Sequence, residues 1–209
     1  MRPVIFMDWD GTVADSMALC IEEVRAALKG VGLPDRTDAE LMRCNGPTNE
    51  ESVAILGIDP ARAEAYLRLR AQAELALIPA HQRIFPGMAE ALHALKARAD
   101  LVIVSNGLAE YLHRSAAFLG VEDCFLRMEG MREGLNKAQN MARLLAELRP
   151  QRAVMVGDRA GDMEAGRVNG LPTIAACYGY GTPEEWALAD RQATSVDALR
   201  EMLLAWAEQ

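Results

Sequence analysis

Val4-Ile5-Phe6-Met7-Asp8-Trp9-Asp10-Gly11-Thr12 is an apolar run that stops at two carboxylates and a glycine. Four apolar residues without polar alternation read as a strand buried on both faces, the kind a parallel sheet contains. Asp8 and Asp10 point the same way if the backbone stays extended. Unpaired, they would repel each other. A divalent cation relieves that cost, and hard oxygen ligands suit Mg²⁺. Gly11 lets the chain turn away at once. A bare pair of this kind is more often a solvated strand end, so its meaning depends on the rest of the chain.

Working outward, Leu101 to Val104 is a second apolar run, ended by Ser105-Asn106-Gly107. Ala153 to Val156 is a third, ended by Gly157-Asp158. Leu171 to Ala176 reads as a fourth and Cys124 to Met128 as a short further strand. Helical spacing lies between them: Met88, Ala91, Leu92 and Leu95; Met141, Leu144, Leu145 and Leu148; then Val196, Leu199, Leu203 and Trp206. Strand alternating with helix predicts an α/β fold, a Rossmann-like and mostly parallel sheet. Ligands of such sheets sit outside the carboxyl ends of the strands. Asp8, Ser105 and Asp158 each follow such an end.

Residues 16–85 carry no strand signal. Asp59-Pro60 marks a helix start, and the run to about Leu77 is rich in Ala, Leu, Arg and Glu. Gly30, Gly32-Leu33-Pro34, Gly46-Pro47 and Gly57 punctuate the segment. It reads as a helical domain, 16–85, inserted into a core domain of 1–15 and 86–209.

The chain has 209 residues, 51% hydrophobic and 25% charged, with net charge −8 and a pI near 5.0. This composition fits a globular protein with a sizeable core. It gives no broad basic face for nucleic acid or an anionic membrane. Phosphate would need a local device instead: a cation, a placed lysine or a helix start. No apolar stretch is long enough to span a bilayer, and no secretory signal precedes the acidic pair. Cys20, Cys44, Cys124 and Cys177 are scattered, without a metal-ligand spacing. Buried free thiols in a reducing, cytoplasmic compartment are the expectation. The sequence assigns no oligomeric state.

Other segments change the weight of the acidic pair. Asp158-Arg159-Ala160-Gly161-Asp162 sets a second pair after another apolar strand. Ser105-Asn106-Gly107 offers a hydroxyl and backbone N–H groups near a helix start, an anion site. Lys137 opens the helix of Met141 and Leu144. Together, Asp8 to Ser16, Val102 to Gly107, Lys137 and Val156 to Asp162 resemble the four motifs of the haloacid dehalogenase (HAD) superfamily. The nearest likeness is to its phosphoglycolate phosphatase-like branch, which has a helical cap. The resemblance covers nearly the whole chain. It departs at Ala138-Gln139, where many relatives have proline after the lysine, and at Trp9, where a smaller residue is usual.

The resemblance implies a Mg²⁺-dependent phosphatase acting on a small phosphorylated metabolite. Asp8 would be nucleophile and metal ligand. Asp10 would be general acid and then base, giving its backbone carbonyl to the metal. Asp158 would bind the metal directly, and Asp162 would support the metal's water shell or orient Lys137. Lys137 would neutralise Asp8 and phosphate, while Ser105, Asn106 and Gly107 would hold phosphate oxygens. Within the insertion, Arg43 could meet a substrate carboxylate bidentately, which would suit phosphoglycolate. Equally, it could simply occupy a helix end. A halide leaves without a proton, so Asp10 and Asp158 favour phosphoryl transfer over dehalogenation. A phosphoryl mutase, a nucleotidase or pyrophosphatase, and a non-catalytic binding protein on the same scaffold remain the rival readings.

Overall fold

The computed structural model describes residues 2–208, so Met1 and Gln209, the outer ends of the expected core domain, lie outside it. The described chain forms two compact units. One runs up to Asp15 and resumes at Ile84; the other is Ser16–Arg83. The second crossing falls at 83/84 rather than at 85/86.

In chain order the strands are β1 (Val4–Met7), β2 (Ala14–Asp15), β3 (Arg83–Ile84), β4 (Asp100–Val104), β5 (Phe125–Glu129), β6 (Ala153–Gly157), β7 (Thr173–Ala176) and β8 (Arg191–Ala193). The helices are α1 (Met17–Gly30), α2 (Asp38–Leu41), α3 (Asn49–Leu56), α4 (Pro60–His81), α5 (Met88–Lys96), α6 (Ala109–Phe118), α7 (Lys137–Leu148), α8 (Ala160–Val168), α9 (Pro183–Trp186) and α10 (Val196–Ala207).

The first unit is built on a six-stranded sheet ordered β5-β4-β1-β6-β7-β8, with every pairing parallel. The expected α/β fold is the observed one. β1 is wholly buried, as its unbroken apolar run requires. Val4, Phe6, Val102, Val104, Ala153 and Met155 meet Met141 and Leu144 of α7 and Ala165 of α8 in one cluster. β4 and β5 extend the sheet on one side of β1, and β6 to β8 on the other. The order therefore reverses between β1 and β6, where the strand ends open a crevice. Asp8 N–H donates to Val156 O at 2.9 Å, carrying the β1–β6 ladder into the first acidic residue.

The short β8 and the β2–β3 pair carry no sequence signal. β8 is a three-residue edge strand with two exposed residues, and β2 and β3 have two residues each. Helix α4 runs to His81 through Pro79, past the expected end near Leu77. Pro79 falls in the last turn, so little of the helix's hydrogen-bonding ladder remains beyond it to disrupt.

The second unit is helical. Val24, Ala27 and Leu28 of α1 cluster with Leu41, Cys44, Leu56, Ile58 and Tyr66. Glu23 is 2% exposed and pairs with Arg70 at 2.9 Å. Arg70 also donates to Cys44 O at 3.3 Å. Thr37, Thr48 and Asp59 cap α2, α3 and α4 through their side chains. Among the described residues, no helix is long and apolar enough to cross a membrane.

Candidate active site

The site grows from three neighbouring strand ends. Beyond Met7 the chain curls tightly: Val13 and Ala14 N–H donate to Trp9 O, both at 2.9 Å. Gly11 takes φ +79° in this curl, and a Cβ there would overlap the Asp158 carboxylate. The residue is thus fixed twice, by a left-handed backbone and by a close approach. Asp8 and Asp158 are 4% and 1% exposed.

Lys137 is the first residue of α7, whose start is held by a capping box of Asn136 and Gln139. Its ammonium reaches Asp8 Oδ1 at 2.9 Å and Asp162 Oδ1 at 2.6 Å. The other oxygen of Asp162 accepts the Arg159 N–H at 3.0 Å, closing the start of α8. Asp162 is therefore committed on both sides. Of the two roles expected for it, orienting Lys137 is the one its contacts describe.

Asp158 is gripped from several directions. Thr12 Oγ1 donates to Oδ1 at 3.3 Å, and the Tyr180 N–H donates to Oδ2 at 2.7 Å. Trp186 Nε1 donates to the backbone carbonyl at 3.1 Å. The Tyr178-Gly179-Tyr180-Gly181 turn thus belongs to the site. A Cβ on Gly179 would overlap both the Gly11 carbonyl and the Asp158 side chain. The hydroxyl of Tyr178 donates to Thr12 O at 3.0 Å, and that of Tyr180 donates to Asp15 at 2.8 Å.

Carboxylate oxygens of Asp8, Asp158 and Asp162 lie within 4.8 Å of one another. Burial first and the neighbouring Asp162 second raise Asp8 from the ordinary carboxylate range, Lys137 opposes them, and the net value is about 7. Burial also raises Asp158 well above its usual value, reinforced by Asp162 and Asp8. Burial alone would lower Lys137, but Asp162 and Asp8 raise it instead. The ammonium bonds Asp8 and Asp162 but not Asp158, so protons or a cation must offset the remaining carboxylate charge. Hard, crowded oxygen donors suit a divalent cation. With Asp162 occupied by Lys137 and Arg159, Asp8 and Asp158 are the carboxylates best placed to hold it.

Asp10 takes another partner: its Oδ1 accepts the Tyr111 hydroxyl at 2.6 Å. Ser105 follows β4 and is 5% exposed. Its Oγ accepts the Gly107 N–H at 3.0 Å, so that N–H is already engaged. Asn106 and Gly107 precede α6, whose N-cap is Leu108. Arg43 lies in the other unit, exposed, in a 3₁₀ turn of Met42–Cys44. The contacts of Thr12, Tyr111, Tyr180 and Trp186 were not visible in the sequence. They depend on how α6 and the turn after β7 pack, and no spacing records that.

Acidic residues after adjacent strands of a parallel sheet, joined by the largely buried lysine that opens α7, make an α/β protein with a candidate phosphate- and cation-handling site. Residues 4–176 match the model of the haloacid dehalogenase-like hydrolase family, and the chain belongs to that family. The tyrosine-protein kinase PtkA of Mycobacterium tuberculosis is 29% identical over 213 residues, 96% of this chain and 72% of the relative. Its solved structure superposes with a TM-score of 0.80, covering 96% of this chain and 97% of that one. A phosphoglycolate phosphatase of Synechococcus elongatus is 27% identical over 184 residues, 86% of this chain and 85% of the relative. The crystal structure of a predicted phosphatase from Clostridium acetobutylicum shares the fold, with a TM-score of 0.87 at 20% identity, covering 98% of this chain and 99% of that one.

Proposed function

We propose that this protein is a Mg²⁺-dependent phosphatase, a phosphoric monoester hydrolase that passes phosphate through Asp8. The observation that carries this is the Lys137 ammonium bridging Asp8 and Asp162 beside buried Asp158. Kinship with a phosphoglycolate phosphatase supports the class.

In this reading an Asp8 oxygen attacks phosphorus and the ester bond breaks. Asp10 gives its proton to the leaving oxygen. Asp10 then takes a proton from water, which attacks the aspartyl-phosphate; inorganic phosphate departs and the Asp8 carboxylate is restored. One residue can serve both half-reactions, with roughly 10²–10⁴-fold at stake in each proton transfer. Mg²⁺ held by Asp8, Asp158 and the Asp10 carbonyl would offset charge on the transferring group. Lys137 neutralises the nucleophile and substrate, and Ser105 and Asn106 hold phosphate oxygens. Gly107 N–H, already donated to Ser105, contributes by shaping that loop. We assign substrate selection to the helical unit as a cap, supported by its insertion between Asp15 and Ile84. Phosphoglycolate leads the substrates, with Arg43 meeting its carboxylate. Cytoplasmic residence belongs to the same proposal, supported by four cysteines that form no disulfide among the described residues.

Kinship with a protein named a tyrosine kinase favours one second reading, in which the phosphoryl acceptor is a tyrosine rather than water. One experiment separates the two. The purified chain is given Mg²⁺ and a panel of phosphate monoesters, and in parallel Mg²⁺, ATP and a tyrosine-containing protein. Phosphate release that EDTA and Asp8→Asn abolish supports the phosphatase. Phosphotyrosine formed without monoester hydrolysis would replace it with the kinase. Equal rates in wild type and Asp8→Asn would remove both.

A further inference from the structure

Helix α6 presents two polar side chains to the acidic loop after β1. Tyr111 donates its hydroxyl to Asp10 Oδ1 at 2.6 Å. One turn further on, Ser115 Oγ accepts Trp9 Nε1–H at 3.2 Å. Residues four apart on a helix lie on the same face, so one face of α6 meets two successive residues of the loop. Tyr111 is 2% exposed, and Trp9 and Ser115 are 0% exposed. Trp9 is wedged further by an edge-on contact with Phe125, centroids 6.0 Å apart. These contacts explain the unusual tryptophan between the two acids: a smaller residue would fill neither the space nor the hydrogen bond to Ser115.

We infer that Tyr111 is a positioning residue for the proton transfers of Asp10, with the Trp9–Ser115 bond holding the same loop in register. The inference rests on the phosphatase reading. A carboxylate has several rotamers, and only some aim an oxygen at the leaving group. The phenol bonds Oδ1 and so fixes the plane in which the carboxyl presents its oxygens. The ring is held in turn by the loop after β4, since a Cβ on Gly107 would stand 3.2 Å from Tyr111 Cδ1. The loop expected to hold phosphate therefore also braces the residue that steadies Asp10.

The test is Tyr111→Phe, which keeps the ring and removes the hydroxyl, with thermal unfolding as the check on folding. Two substrates separate positioning from general damage. An alkyl phosphate needs a proton on its leaving alkoxide. p-Nitrophenyl phosphate does not, because its phenolate leaves unaided. With the alkyl phosphate, kcat should fall about ten- to a hundredfold at nearly constant KM. With the aryl phosphate, the rapid release of one p-nitrophenolate per site should persist within about twofold while steady turnover slows, because hydrolysis of the intermediate still needs Asp10 as base. Equal losses in burst and turnover, a change confined to KM, or no change would each overturn the inference. A crystal structure of the same variant gives a reading independent of turnover. Asp10 should adopt a second rotamer, and an unmoved carboxylate would refute the positioning role. A wild-type chain with no hydrolysis of any ester would instead defeat the phosphatase reading, leaving the rotamer result to judge Tyr111 by itself.

Discussion

Lys137 stands closer to Asp162, at 2.6 Å, than to Asp8, at 2.9 Å. The lysine is held by a carboxylate that caps α8 and shared with the carboxylate that would do the chemistry. Asp162→Asn keeps the cap oxygen and removes the charge. Partners at this remove typically cost 10–100-fold in activity or metal affinity when lost. Loss of kcat within about that range, with circular dichroism unchanged, is the expected result. A variant as fast as wild type would show that Lys137 needs no such anchor.

Replacing Lys137 itself has a different signature. Lys137→Met leaves the buried Asp8 and Asp162 without their shared cation. Breaking a buried pair costs about 3–5 kcal/mol. Destabilisation in urea at neutral pH should be of that order and should shrink in acid, where the acids can protonate. Phosphate release should be lost throughout.

Asp8 and Asp158 both have native pKa values raised above those of the unfolded chain. The native state therefore binds protons that the unfolded state has released. Stability is retained below the unfolded carboxylate pKa and is lost as pH rises through about 7, where Asp8 ionises. Without metal, Tm should be higher near pH 5.5 than near pH 8. Mg²⁺ competes with those protons, so its stabilisation should be larger at pH 8. At a hundredfold excess over Kd it approaches ~2.7 kcal/mol. Scanning calorimetry in EDTA and in Mg²⁺ at both pH values checks this; equal Mg²⁺ shifts at the two would contradict it.

In the helical unit, Arg70→Ala strands the buried carboxylate of Glu23. The expected cost is again about 3–5 kcal/mol. The double variant with Glu23→Gln should regain much of it, because the uncompensated charge is then gone. Additive losses in the double-variant cycle would mean that the two residues act separately.

Where the sequence was legible, one physical rule spoke locally. β1, β4 and β6 are buried along their apolar runs, and each is followed directly by a polar residue, Asp8, Ser105 or Asp158. Lys137 opens a patterned helix, but alone it reads as a surface lysine; only the acidic pairs around it and the family resemblance gave it meaning. β8 was hidden because an exposed edge strand needs no apolar run. Tyr111 was hidden for another reason: it acts on Asp10, 101 positions away, through packing that leaves no period. Arg43 sits in an exposed turn of the helical unit, where spacing alone records no ligand.

The reversal of strand order between β1 and β6 has a consequence for the newborn chain. Val4 pairs with Ala153, and Asp8 closes on Val156. Asp8 is therefore made before the strand that completes its surroundings, which follows only after the entire helical unit, β4 and β5. Until then the carboxylates stay apart and hydrated, without the desolvation that would tune them. Any chemistry at Asp8 thus waits until β6 has been made.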